Sequence, residues 1–326
     1  MPFPFNVYLL GFAAGFLASL LSLPLWRAWS LRVGLVDDPG HRKIHATPTP
    51  LAGGLAIMTG LLLPLLLAVA ALQFNGLEAS TIQRLGYGMN RRAVQLAAIL
   101  IGAVGMVLLG WWDDKHELRP AAKFAGQLLI ATVVAAAGVR ITLFVESRIF
   151  SYAITILWIL TVTNAFNFID NMNGLCAGLG SIAAMSFALT AAIHGQYLVA
   201  GIAFLSCGAM LGFLPFNFPR ATAFLGDAGS HLIGFLLAVL AILPHFYSSQ
   251  HPKTLAVFSP LLILGVPLAD LVWVVLLRWQ LGKPFYVGDT NHVSHRLVQH
   301  GLSSTRAVLL LWLLAVLLCS LCLLLG

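Results

Sequence analysis

Long apolar runs recur from one end of the chain to the other, separated by short polar clusters rich in glycine, proline, asparagine and charge. Within a run the apolar residues occupy every side of a helix, and no succession of segments alternates strictly between polar and apolar positions. Strands of a membrane barrel would alternate with period two, so the pattern predicts helices that are buried in protein or face lipid. The runs at 51–72 and 305–325 reach the roughly 20 residues that a helix needs to cross the hydrocarbon. Ten spans are predicted, at 5–26, 51–72, 93–111, 122–139, 150–162, 174–193, 197–213, 229–244, 255–277 and 305–325. The fifth is short and the ninth carries Pro260, Pro267 and Asp270, which points to a re-entrant or broken helix at either. The expected fold is all-α: a polytopic integral membrane protein with about ten transmembrane helices, forming a single domain over 1–326.

Composition excludes a soluble protein. Of 326 residues, 60% are hydrophobic and 9% charged, against about a quarter charged in a soluble domain. No Lys or Arg precedes the first run, so that run is expected to be a retained helix and not a cleavable signal. Cys176, Cys207, Cys319 and Cys322 lie in or beside apolar runs. They are expected to be small core residues, the Cys319-x-x-Cys322 pair included, with no disulfide framework.

Charge assigns sides to the loops. Twelve of the 18 Lys and Arg residues fall in odd-numbered loops or at their helix ends, so the positive-inside rule puts those loops in the cytoplasm and both termini outside. That topology and anionic lipid account for the net charge of +7, and no nucleic-acid partner is called for. Asp37, Asp38, Asp113, Asp114, Asp170, Asp227 and Asp289 fall in the same odd loops, with Asp270 in the span leading into the ninth.

Five loops on that face carry the candidate chemistry. The third opens Gly110-Trp111-Trp112-Asp113-Asp114 and continues with Lys115, Lys123 and Gln127; adjacent carboxylates repel unless a cation or proton separates them. In the fifth loop Asn164, Asn167, Asp170 and Asn171 recur at three- and four-residue intervals and on a helix would share a face of amide donors and acceptors. The seventh carries Asn217 and Arg220, then Gly226-Asp227-Ala228-Gly229-Ser230. Small residues around one acid at a helix start suit phosphate and Mg2+, which takes few carboxylates and completes its shell with water and substrate phosphate. The ninth holds Gly288-Asp289, Asn291, His292, Ser294, His295 and Arg296; the first holds Asp37-Asp38, His41, Arg42-Lys43 and His45, then Pro48, Pro50 and Gly53-Gly54. His and Arg beside acids suit anionic phosphate. Singly, these motifs have plain readings as solvated helix ends, caps and turns. Their shared placement on one membrane face argues for a site.

Together the segments resemble the polyprenyl-phosphate N-acetylhexosamine-1-phosphate transferases, in the branch like the bacterial undecaprenyl-phosphate N-acetylglucosamine-1-phosphate transferases. The resemblance runs through nearly the whole chain in order. Arg42-Lys43-x-His45 with Pro48, Pro50 and Gly53-Gly54 is similar to the first-loop pattern of that branch. Asp113-Asp114 is similar to its paired aspartates, Asn164, Asn167 and Asp170 to its nucleotide-sugar loop, and Gly226-Asp227-x-Gly229-Ser230 to its metal loop; Pro267 and Asp270 also fit. Two positions depart: Asn171 and Asn173 stand where the family commonly has a glycine and a second acid, and Ser294 stands where it commonly has a middle histidine.

The resemblance implies a bacterial inner-membrane enzyme with cytoplasmic catalytic loops. It would transfer a sugar-1-phosphate, expected to be N-acetylglucosamine-1-phosphate, from a UDP-sugar to polyprenyl (undecaprenyl) phosphate, releasing UMP at the start of cell-envelope polysaccharide synthesis. Asp113, Asp114, Asp170 and His295 would be catalytic. Lys43, His45, Lys123, Asn164, Asn167, Asn217, His292 and Arg296 would bind substrate, and Asp227 with Asp113 and Asp114 would hold Mg2+ or, alternatively, Mn2+. A homodimer is compatible with this reading. The alternatives are a secondary transporter, with Asp270 beside Pro267 as its intramembrane ion site, and a catalytically inactive relative of the family.

Overall fold

The computed structural model describes residues 3–37, 48–73, 86, 88–142, 145–244, 257–284, 286 and 290–325. Lys43 and His45, expected to bind substrate, lie outside the described residues, as do Asp38 and Asp289.

Helices overlap all ten apolar runs. They are α1 Phe5–Val33, α2 Gly53–Gln73, α3 Ala93–His116, α4 Pro120–Ala136, α5 Arg148–Ile169, α6 Leu175–Ile193, α7 Tyr197–Phe213 and α8 Gly226–Ile242. A broken pair follows, α9 Ser259–Ile263 and α10 Gly265–Gln280, then the short α11 Val293–Gln299 and finally α12 Ser304–Leu325. Seven of these, α1, α2, α3, α5, α6, α7 and α12, are long and apolar enough to cross a membrane. α4 and α8 are apolar helices of 17 residues each. Leu17, Leu21 and Leu25 of α1 and Leu309, Leu313 and Leu317 of α12 stay exposed on outer faces, which is stable when the solvent is lipid. The protein is an all-α polytopic membrane protein.

Two of the predicted spans change shape. The fifth is not short: α5 runs 22 residues to Ile169, and the polar Asn164 that interrupts the apolar run is accommodated by bonding to Gln127 of α4 and back to the Leu160 carbonyl. The ninth is broken at Leu264, where Pro267 has no N–H to continue the ladder.

α8 forms the centre, buried over nearly its whole circumference from 228 to 241 by α2, α3, α5 and α6. Around it, α1 lies along α7 and α2. Gly208 and Gly212, one turn apart on α7, face the carbonyl oxygens of Phe12 and Phe16, where any Cβ would collide. Small residues at this spacing let membrane helices approach backbone to backbone.

The first loop is tied to the start of α8. β1 Val36–Asp37 pairs antiparallel with β2 Thr49–Pro50, Val36 opposite Pro50 and Asp37 opposite Thr49. Beyond β2, the Phe224 N–H donates to the Pro50 carbonyl at 2.9 Å, and the Gly53 N–H donates to the Phe224 carbonyl at 2.9 Å. Gly54 then meets Gly229 so closely that a Cβ would lie 2.5 Å from its nitrogen.

Candidate active site

The site is built around the first turn of α8. Gly226 has a φ of 71°, a left-handed conformation that favours glycine, and a Cβ there would meet Asp114 Oδ2 at 2.7 Å. The space belongs to the Asp114 carboxylate, which accepts the N–H groups of Asp227 at 2.7 Å and Ala228 at 3.2 Å. An acidic group at a helix N-terminus satisfies unpaired donors and opposes the positive end of the helix dipole. Gly110, one turn earlier on α3, permits this contact, since any Cβ would run into the backbone of Asp227 and Ala228.

Lys123 reaches between the neighbouring acids from the first turn of α4. Its Nζ lies 2.8 Å from Asp113 Oδ2 and 2.5 Å from Asp227 Oδ2, and it donates to Asn167 Oδ1 at 3.3 Å. Pro120 at the first position of α4 sets the direction of that helix without sacrificing a backbone bond. The second Asp113 oxygen accepts the Leu118 N–H at 2.8 Å, closing the turn between α3 and α4. Asn167 of α5 completes the ring, its amide donating to Asp227 Oδ1 at 2.8 Å and to Ser230 Oγ at 3.0 Å. Oxygens of Asp113, Asp227 and Asn167 thus face one cation, and the Asp227 side chain remains 31% exposed and open to a ligand.

Asp170 follows α5 directly. Burial, and then the negative charges of Asp227 and Asp114, push its carboxyl up to about 8. It therefore holds its proton near neutral pH unless a positive charge arrives nearby.

A second cluster adjoins the first at residues 168–171. Asp270 accepts the Val293 N–H at 2.8 Å and pairs with His292 Nδ1 at 2.7 Å, fixing the start of α11. The His292 ring stands edge-on to Phe168, with centroids 6.5 Å apart, and His295 is 6.3 Å from His292. The Arg296 guanidinium lies over Trp273 at 4.9 Å, and the buried Arg278 lies over Phe168 at 5.2 Å. Because both Asp270 and Arg278 meet this cluster, α10 runs beside the site.

The structure thus gathers Asp113, Asp114, Lys123, Asn167, Asp170 and Asp227 around one helix start, with His292, His295 and Arg296 alongside. Two residues expected to touch substrate make hydrogen bonds within the fold. Asn217 accepts the Gly174 N–H at 2.6 Å and donates to the Ala223 carbonyl at 3.0 Å, stapling the fifth loop to the seventh. The Asn164 amide donates to Gln127 Oε1 at 2.7 Å and to the Leu160 carbonyl at 2.8 Å. Asp270, the candidate ion site of a transporter, is a buried helix anchor. Ser230 belongs to the Gly226-Asp227 motif, whereas Phe168, Trp273 and Arg278 are residues that the sequence does not single out.

Among the described residues, no group of three or more His, Cys, Asp or Glu side chains is arranged to hold a metal. The cation position between Asp113 and Asp227 offers two carboxylates and an amide oxygen. That hard-oxygen set suits a Mg2+ ion that takes one or two protein carboxylates and the rest of its shell from water and phosphate.

The sequence matches the glycosyl transferase family 4 profile over residues 96–245, the stretch from α3 to just past α8. It is 32% identical over 314 residues to the "Probable undecaprenyl-phosphate N-acetylglucosaminyl 1-phosphate transferase" of Bacillus subtilis, covering 93% of this chain and 80% of that protein. It is 33% identical over 331 residues to the decaprenyl-phosphate N-acetylglucosaminephosphotransferase of Mycobacterium tuberculosis, covering 94% and 79%. With the undecaprenyl-phosphate alpha-N-acetylglucosaminyl 1-phosphate transferase of Escherichia coli it shares 26% identity over 326 residues, 94% of this chain and 80% of that protein. A similarity of this extent, carried on a site whose acids converge at one helix start, places the chain in glycosyl transferase family 4, among the polyprenyl-phosphate N-acetylglucosamine-1-phosphate transferases.

Proposed function

We propose that the protein transfers N-acetylglucosamine-1-phosphate from UDP-N-acetylglucosamine to a polyprenyl phosphate in a bacterial plasma membrane, releasing UMP. The observation that carries this reading is the ring of Asp113, Lys123, Asn167 and Asp227 at the start of α8. It sets one ammonium between two carboxylates, and the excess negative charge suits a divalent cation that bridges to a diphosphate. Mg2+ bound there, through Asp227 and Asp113, would neutralise charge on the transferring phosphoryl group; Mn2+ offers the same oxygen preference.

The remaining steps belong to the chain and its substrates. An oxygen of the acceptor phosphate attacks the sugar-bearing phosphorus, the bond from that phosphorus to the bridging oxygen breaks, and UMP leaves with the electron pair. A phosphate monoester has a second pKa of about 6, so the acceptor is already ionised and needs no strong base. Direct attack also fits the acids, since both Asp114 oxygens hold backbone N–H groups and Asp113 is engaged by Leu118 and Lys123. Lys123 neutralises and orients phosphate, Asn167 and Asp170 hold the nucleotide sugar, and His292, His295 and Arg296 contact the diphosphate or the sugar. Phosphoryl transfer asks mainly for this kind of positioning and charge neutralisation.

An apolar cavity beside the cluster would suit the acceptor's tail. This cavity of about 260 Å3, lined by Ile169, Val266, Trp273, Leu311 and Leu314, lies between α5, α10 and α12 with Asp270 and Ser294 in its wall. The catalytic loops are cytoplasmic in this reading, facing the nucleotide-sugar pool. The four native cysteines are buried, so a cysteine introduced at the exposed Glu117 should label from the cytoplasmic side; labelling only from outside would reverse the orientation.

The test of function is a titration of UMP release against Mg2+ in the purified protein and in Asp227→Asn. Wild-type protein should require the cation and the variant should lose turnover. Full activity in Asp227→Asn would remove that residue from the metal site.

A further inference from the structure

α11 is seven residues long, too short to be stable by itself, so the orientation of His292, His295 and Arg296 depends on what holds it. Asp270 holds its first backbone N–H and the His292 ring. A second anchor comes from the other half of the site. Ser294 Oγ donates to Asn171 Oδ1 at 2.6 Å, and the same Asn171 amide donates to the Phe168 carbonyl at 3.1 Å. Ser294 is 1% exposed, so water does not substitute for this bond. Asn171 directly follows Asp170, and the Phe168 ring contacts both His292 and Arg278. One hydrogen bond therefore links the segment carrying Asp170 to the helix carrying the histidines, across 123 residues of sequence.

The geometry points to Asn171 and Ser294 as a matched pair of positioning residues that sets the histidine loop against the nucleotide-sugar loop and so governs donor binding. Both are positions at which the chain departs from the common pattern of the family, and they are the two ends of a single bond. In place of Ser294, a histidine would need the buried volume that the Asn171 side chain fills, and in place of Asn171 a glycine would leave the Ser294 hydroxyl buried without its acceptor. Each departure thus compensates for the other.

This inference rests on the proposed transfer reaction, and the experiment separates the two. UMP release is measured for wild type, Asn171→Ala, Ser294→Ala and the double variant, with KM determined separately for UDP-N-acetylglucosamine and for polyprenyl phosphate and with the thermal midpoint recorded. No UMP from the wild type under any donor would overturn the function itself. With an active wild type, each single variant should raise the donor KM roughly fivefold to tenfold, the effect of one hydrogen bond. In Asn171→Ala, at a position outside the cavity lined by Ser294, the acceptor KM should stay within about twofold, and the double variant should raise the donor KM no more than the poorer single one. Multiplying losses, an unchanged donor KM, or equal changes in both KM values for Asn171→Ala would overturn the pairing. An independent readout is the pair Ser294→His and Asn171→Gly/Ser294→His. The double replacement should be the more stable and more active of the two, whereas a double variant as impaired as Ser294→His alone would contradict the compensation.

Discussion

The carboxylate of Asp114, at the end of α3, accepts the backbone N–H groups of both Asp227 and Ala228, at 2.7 and 3.2 Å. One of the paired acids thus aims the helix that carries another acid, and its neighbour Asp113 faces the shared cation. The two adjacent aspartates have different tasks. Replacing Asp114 with Ala should lower stability by about 0.5–2 kcal/mol, the usual cost of losing a helix cap, and reduce turnover by disordering the first turn of α8. Asp113→Ala should instead affect turnover more than stability. Thermal unfolding in detergent beside steady-state rates distinguishes them, and equal stability losses in the two variants would contradict this division.

Lys123 separates two carboxylates that would otherwise repel. In Lys123→Ala, turnover should fall about a hundredfold or more, as when a preorganised charge partner is removed. The thermal midpoint of the variant should also rise more steeply with Mg2+ than that of the wild type, because the ammonium no longer competes for the same oxygens. A midpoint equally insensitive to Mg2+ in both proteins would place the cation elsewhere.

Backbone contact between α3 and α8 leaves no room for a methyl group at Gly110. Gly110→Ala should cost about 1–3 kcal/mol through overpacking and displace Asp114 from its cap. Gly201 on α7 has open space where a Cβ would stand, so Gly201→Ala should be neutral or stabilise by up to about 1 kcal/mol. Both are read by thermal unfolding, and tolerance of Gly110→Ala would contradict the close approach.

Asp170 gives stability a pH dependence of unusual sign. Its carboxyl titrates near 3.8 when unperturbed and about 8 in the fold, so between those limits the native state holds a proton that the unfolded chain has lost. Stability must then fall as pH rises through that window. Without divalent cation or substrate, the wild type should lose stability relative to Asp170→Asn between about pH 5 and 8, with the curves converging at the acid end. Parallel curves across the range would show that Asp170 is already ionised at neutrality.

The apolar runs mark where helices form because in lipid the backbone must satisfy itself, and that demand is written in composition alone. Their ends are less readable. Asn164 and Asn167 break the apolar run of α5, yet the helix continues because their amides bond to Gln127, Leu160, Asp227 and Ser230. The site's acids could be read as a group from their motifs, but not their division of labour, which depends on which helix end each carboxylate reaches. Asn217 shows the same limit: its grip on the backbone of Gly174 and Ala223 depends on a contact between distant loops that the sequence does not display. Arg278 and Phe168 carry no motif; they meet only because α10 breaks from α9 and runs beside the end of α5.

The measurement that bears most directly on the proposed reaction is the identity of the nucleotide released from UDP-N-acetylglucosamine when purified protein, polyprenyl phosphate and Mg2+ are combined, together with the mass of the lipid product. Sugar-1-phosphate transfer yields UMP and a lipid diphosphate sugar, and this is the expected result. Release of UDP with a lipid monophosphate sugar, or no lipid product with all components present, would contradict it.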